Sequence, residues 1–159
     1  MILNLELRKA GTELPCWVPK KSPTSLMLTH SELTAKIIGA AISVHRELGP
    51  GFLESVYEEA LAVEFESLGL PYERQKVVRI SYRERPVGEH RLDFLVAGRV
   101  VMELKAVREL EKIFFSIVRS YLKATRLDTG LLFNFAAMPL TIKRVGREDA
   151  VRHELAADS

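Results

Sequence analysis

The hydrophobic period of the chain changes once, around Gly69-Leu70-Pro71, and this limits the folds open to it. Before that point apolar residues recur every three to four positions. Leu33, Ile37, Ala41, Val44 and Leu48 make one stripe at helical spacing. Thr29 and Glu32 precede it as a T-x-x-E capping box, in which each side chain satisfies an amide donor that the first turn leaves free. This predicts a helix from Ser31 to Leu48, stopped by Gly49-Pro50-Gly51. A second helix follows from Leu53 to Leu68, with Val56, Ala60, Leu61, Phe65 and Leu68 as its buried face. After Pro71 the period is two: Lys76, Val78 and Ile80 alternate with Val77 and Arg79 in a strand from Tyr72 to Tyr82. A turn over Arg83–Gly88, a strand from His90 to Val96, a tight Ala97-Gly98-Arg99 connection and a strand from Val100 to Ala106 come next. A third helix is predicted from Arg108 to Thr125, with Leu110, Ile113, Phe114, Ile117, Tyr121 and Leu122 on its apolar side. Asp128-Thr129-Gly130 reads as a turn, Leu131–Phe135 as a buried strand and Leu140–Val145 as one more. The order α-α-β-β-β-α-β predicts an α/β fold with a mixed sheet.

The two ends lack this periodicity. Residues 1–28, crowded with Gly11, Pro15, Pro19 and Pro23, are expected to be an extended or poorly ordered leader, and 146–159 a charged tail. The domain is then 29–145. One cysteine, Cys16, excludes an internal disulfide or a multi-cysteine metal site, and points to a reducing, cytoplasmic setting. No apolar run is long enough to span a bilayer, so no membrane partner is expected. With 23 Lys+Arg against 21 Asp+Glu the net charge is +2, which argues neither for nor against nucleic acid.

Candidate chemistry lies in the second hairpin. Leu92, Phe94 and Val96, with Val100, Met102 and Leu104, are expected on one face. Arg91, Asp93 and Leu95, with Val101, Glu103 and Lys105, share the other. If Val96 opposes Val100 around a three-residue turn, Asp93 opposes Glu103, with Cβ atoms about 5 Å apart. Two carboxylates so placed repel unless a cation lies between them. Hard oxygen donors suit Mg²⁺, which takes one or two carboxylates and completes its shell with water and phosphate oxygens. Lys105, on the same face, can orient a water or balance charge on a phosphate. The alternative is the solvated face of an edge hairpin, with Lys105 neutralising its neighbours. Glu54 and Tyr57 share one side of the second helix, where an acid in the first turn also suits the helix dipole.

Beyond these spacings, the run Val44-His45-Arg46-Glu47-Leu48-Gly49-Pro50-Gly51-Phe52-Leu53-Glu54-Ser55-Val56-Tyr57 resembles the signature of the GxxExxY proteins, within the PD-(D/E)XK nuclease superfamily. The similarity continues through Arg91–Val96, Val101–Ala106, Tyr121–Lys123 and Gly130–Phe135, so it covers Thr29 to Val145. The resemblance implies a restriction-endonuclease-like core in which helices flank a mixed central sheet. It also implies that Asp93 and Glu103 are metal ligands, that Lys105 is the lysine of the E-x-K element, and that Glu54 completes the metal site. Ile117 stands where related proteins often carry a glutamine four residues before the tyrosine, and Phe114 where a histidine is frequent. The function implied is Mg²⁺- or Mn²⁺-dependent hydrolysis of phosphodiester bonds in DNA or RNA. Arg74, Lys76, Arg79, Arg83, Arg85, Lys112, Arg119, Lys123 and Arg126 are the candidate contacts to the phosphate backbone. The alternative is a binding or assembly module on the same fold, self-association included, with catalysis impaired by Ile117. His45 is expected to pack within its helix rather than to bind metal.

Overall fold

The computed structural model describes residues 28–147. The expectations for the leader up to residue 27, including Cys16, and for the tail beyond Arg147 lie outside them. Helices α1 (His30–Leu48) and α2 (Glu54–Ser67) come first. Strands β1 (Tyr72–Tyr82), β2 (Arg85–Val96) and β3 (Val100–Lys105) follow, then helix α3 (Lys112–Thr125) and strands β4 (Thr129–Asn134) and β5 (Thr141–Gly146). The five strands form one sheet in the order β1-β2-β3-β4-β5. Only β3 and β4 are parallel, and α3 is the crossover between them. The α/β class with a mixed sheet is therefore observed.

Apolar clusters cover both faces. On one, Leu33, Ile37, Leu61 and Phe65 of α1 and α2 pack on Phe94, Val96, Met102, Leu104 and Phe133. On the other, Val118, Tyr121 and Leu122 of α3 pack on Leu95, Val101, Leu132 and Val145. The all-buried patterns of β3 and β4, apart from half-buried Lys105, follow from this double cover. The capping box of Thr29 and Glu32 is present in both directions. Leu28 also touches the core, and its carbonyl accepts a 2.8 Å hydrogen bond from Arg99 Nη1.

Several sequence expectations need correcting. The buried face of α2 is Tyr57, Leu61, Ala62 and Phe65, whereas Val56 and Leu68 are exposed. Tyr57 takes the inward position because its ring stacks on Phe135 at 4.5 Å and its hydroxyl finds backbone partners. Helix α3 starts at Lys112, not Arg108, and buries Val118, Tyr121 and Leu122 while Ile113 stays exposed. Arg83 and Glu84, both at positive φ, turn the first hairpin by themselves, so β2 begins at Arg85 and runs through Pro86 and Gly88. Thr129 and Gly130 belong to β4 rather than to a turn. Gly130 is there for closeness: a Cβ on it would lie 2.5 Å from Val118 Cγ1. Leu92 packs with the α3-side cluster, not with Phe94 and Val96. The alternation breaks there because the β1–β2 ladder skips the Gln75–Asp93 position, where Gln75 has a φ of 49°.

Candidate active site

Three local devices bring the candidate residues to the C-terminal end of β3. The first is the β2–β3 hairpin. Its three-residue turn sets Val96 opposite Val100, as expected, followed by Leu95–Val101 and Phe94–Met102. The ladder stops there. The Asp93 carboxylate takes the next role, accepting the Leu104 N–H at 2.7 Å. Asp93 is thus fixed beside β3 at the place where β2 leaves regular pairing. Such irregularities re-aim side chains.

The second device is the joint before α2. The Tyr57 hydroxyl donates to Gly49 O at 2.7 Å and accepts from Phe52 N–H at 3.2 Å. One buried side chain thereby clamps the G-P-G turn. This explains the distance in sequence between the glycines and the tyrosine, and it sets where α2 begins. Glu54, the first residue of α2, reaches across and accepts the Ala106 N–H at 3.1 Å.

The third device is Asn134 at the end of β4. It is buried, accepts from the Val107 and Ala136 amides, and donates to Val107 O at 2.7 Å. Phe135 N–H adds a bond to Lys105 O. The strand end that carries Lys105 is thus held from the β4 side. Asn134 and Tyr57 were not singled out in the sequence as positioning groups. The T-x-x-E box has a recognisable spacing, but an Asn at a strand end carries no local signal of its tertiary partner.

Lys105 is the hub of the cluster. Its Nζ lies 2.8 Å from Glu103 Oε1, 2.9 Å from Leu104 O and 3.9 Å from Glu54 Oε2. The Phe114 ring covers it, with its centroid 5.5 Å from Nζ. An aromatic face at this position therefore supports the lysine. Ile117, half-buried, packs into the α3-side cluster. Glu103 is 5% exposed, and its Oε2 is buried with no hydrogen-bond partner. Such an atom is costly to leave unpaired.

The electrostatics follow from crowding. Burial raises the Glu103 carboxyl to about 7, and nearby Asp93 pushes it the same way, against the pull of Lys105. Burial also raises Asp93; Glu58 and Glu54 add to the effect, while the Leu104 N–H and Lys105 oppose it. Burial works against the Lys105 charge, but Glu103, Glu54 and Asp93 outweigh it and raise its pKa. Tyr121, raised by burial, also senses Glu103 and Asp93, which places its hydroxyl in the same field. Glu58 enters this field while bonded to Arg74 Nε and Gln75 Nε2 at 3.0 Å each.

Part of the donor set suits a divalent cation. Asp93 and Glu103 supply hard oxygens, and the unpartnered Oε2 of Glu103 is an acceptor in need of a positive partner. These two fit. Glu54 meets the same cluster through Lys105 and the Ala106 amide. Among the described residues, no three His, Cys, Asp or Glu side chains are grouped as a ready-made cage. Histidine contributes nothing here: His45 is buried against Phe135, as its packing role predicts.

A family model described as the PD-(D/E)XK nuclease superfamily matches residues 31–145. The chain belongs to that superfamily. The match spans nearly the whole described domain, including both helices before the sheet and β5 after it. Searches of curated proteins and of solved structures give no significant match. The mixed five-stranded sheet flanked by helices is consistent with the restriction-endonuclease-like core of PD-(D/E)XK proteins. None of the described helices is long and apolar enough to cross a membrane.

Proposed function

We propose that the protein is a Mg²⁺- or Mn²⁺-dependent nuclease of the GxxExxY type, hydrolysing phosphodiester bonds of nucleic acid. The observation that carries this reading is the buried Glu103 carboxylate. It is adjacent to Asp93, bonded to Lys105, and left with one oxygen unsatisfied. A stability-optimised core has no use for that arrangement, whereas a cation site does.

Asp93 and Glu103 would hold the ion, with Glu54 at the rim. When bound, the ion would supply Lewis acidity, neutralising phosphate charge and making a bound water acidic enough to ionise. The chain's own residues do the rest. The Leu104 amide fixes one Asp93 oxygen beside the end of β3. Lys105, held protonated by its acidic neighbours, donates a hydrogen bond to the attacking water or to a phosphate oxygen. Phe114 and Glu103 limit the directions in which that ammonium can point. Glu54 keeps Ala106 and the end of β3 in place.

The test is cleavage of DNA and RNA oligonucleotides with Mg²⁺ or Mn²⁺ by the full chain, compared with Asp93→Ala and Lys105→Ala. Both variants should lose at least about a hundredfold in rate while keeping a cooperative melt. Unchanged cleavage in either would sink the assignment. A second reading, a non-catalytic binding or self-associating module, draws on apolar Ile117 and on the lack of a three-acid cage among the described residues. It predicts no cleavage of any substrate and no rise in melting temperature with metal.

A further inference from the structure

Some basic residues of the domain are held by acidic partners, and among the others three share one groove. Arg74 is bonded to Glu58 and Glu59, Lys76 to Glu73, Lys105 to Glu103, and Arg147 to Asp128. These charges are committed within the fold. Arg79, Lys123 and Arg126 are in no ion pair among the described residues, and all three are exposed. Arg79 has Glu89 opposite it in the strand register, yet the two do not meet as an ion pair. The three cations come from different elements, β1 and the C-terminal end of α3, but line a single groove of about 460 Å³. Ser81, Ser120 and His90 line it with them. Its polar lining is therefore three cations, two hydroxyls and an imidazole, with no carboxylate among the lining residues.

Tyr121 relates the groove to the candidate active site. His90 meets the Tyr121 ring edge-on at 4.8 Å, and Tyr121 follows Ser120 on α3. Tyr121 in turn lies in the field of Glu103 and Asp93. Tyr121 therefore borders the basic groove through His90 and is coupled electrostatically to the buried acids. The β1–β2 arm forms the opposite wall. It pairs from Tyr72–Val96 to Tyr82–Arg85, whereas β3 covers only Phe94–Val96 of it. The arm therefore projects beyond the rest of the sheet and leaves its Arg79–Ser81 segment facing the last turns of α3.

We propose that this groove binds the phosphodiester backbone of one nucleic-acid strand and leads it past Tyr121 to the acidic centre. The proposal rests on the nuclease reading for the direction in which the strand runs, but not for its binding. Unpaired Arg and Lys side chains with neighbouring hydroxyls are the donors that phosphate oxygens require. Three such cations gathered in one groove displace counterions condensed on a polyanion, so binding should weaken steeply with salt.

The experiment uses the full chain, a fluorescein-labelled single-stranded oligonucleotide and EDTA, so that binding is read without cleavage. Anisotropy titrations between 50 and 300 mM NaCl compare wild type with the Arg79→Gln/Lys123→Gln/Arg126→Gln variant. These substitutions keep side-chain length and helix propensity, and far-UV dichroism confirms folding. The expected result is about tenfold or greater weakening at 100 mM salt and a log–log salt slope shallower by about two. Equal affinity and slope in the variant would overturn the groove, as would the absence of binding by wild type at 50 mM salt. Equal competition by poly-glutamate and by unlabelled oligonucleotide would also overturn it, assigning the groove to acidic peptide. Cleavage with Mn²⁺ is measured separately. Salt-dependent binding that the variant loses, in a protein that cuts nothing, would support the groove and refute the nuclease. Cutting by the variant at the wild-type rate would do the reverse.

Discussion

Substituting Glu103 by Gln should make the metal-free protein more stable at alkaline pH. The buried Glu103 carboxyl titrates near 7 in the fold, against 4.5 for the unperturbed group. The folded state therefore holds that proton more tightly than the unfolded chain does. Its contribution to stability is greatest below pH 4.5, declines as pH rises, and is fully lost above about 7. This is the reverse of a carboxylate stabilised by its ion pair, because desolvation and Asp93 together outweigh Lys105. A gap of about 2.5 pH units at 1.36 kcal/mol each makes the penalty on the order of 3 kcal/mol at pH 8. That figure already includes the attraction of Lys105, so no separate loss of the ion pair is subtracted. Water penetration and relaxation reduce it, and a gain of about 1–3 kcal/mol is expected, or roughly 4–10 °C in Tm. The assay is a thermal melt in EDTA at intervals from pH 4.5 to 8.5, wild type beside Glu103→Gln. The two curves should converge to within about 0.5 kcal/mol at pH 4.5 and separate above pH 6. A Gln variant that melts below wild type at pH 8, or an offset that does not change with pH, would refute the reasoning.

The same penalty should be relieved by a cation. Mg²⁺ or Mn²⁺ in the millimolar range should raise the wild-type Tm by several degrees at pH 8 and leave Asp93→Asn unmoved; equal shifts in both would place the ion elsewhere. Tyr57→Phe removes the hydroxyl that joins Gly49 O to Phe52 N–H, and should cost about 1–3 kcal/mol in urea unfolding. A loss below 0.5 kcal/mol, read against the same denaturant slope, would remove the clamp from the account. Gly130→Ala inserts a methyl 2.5 Å from Val118 Cγ1 and should destabilise by about 1–3 kcal/mol. Adding Val118→Ala should recover part of that loss, and strictly additive costs would argue against the contact.

The sequence was legible where physics is local. The capping box of Thr29 and Glu32, the stop at Gly49, the period change after Gly69 and the three-residue turn at Ala97–Arg99 each depend on neighbours within a few positions. All were observed. Orientation about a helix axis was less legible. Val56 and Tyr57 are both apolar candidates for the α2 core, and only the Phe135 ring and the Gly49 carbonyl select the tyrosine. Gly130 looked like turn chemistry because glycine serves both turns and close approaches. The Val118 side chain that decides between them is 12 residues away in sequence. The candidate site divides in the same way. Alternation along β3 was enough to put Glu103 and Lys105 on one face, but the expected Asp93–Glu103 pair is not in the ladder, which ends at Phe94–Met102; Asp93 reaches the cluster through the Leu104 amide instead.

The sequence alone therefore determined the order of the elements and the turn of the β2–β3 hairpin, because hydrogen-bond period and turn length set these over short distances, and it supplied the acids and the lysine as candidates. Tertiary structure alone decided how they interact. It buried Glu103 with an unpaired oxygen, set Phe114 over Lys105, brought Glu54 to Ala106 across 52 residues, and gathered Arg79, Lys123 and Arg126 in one groove. Desolvation and charge coupling depend on three-dimensional proximity, which a one-dimensional pattern does not encode.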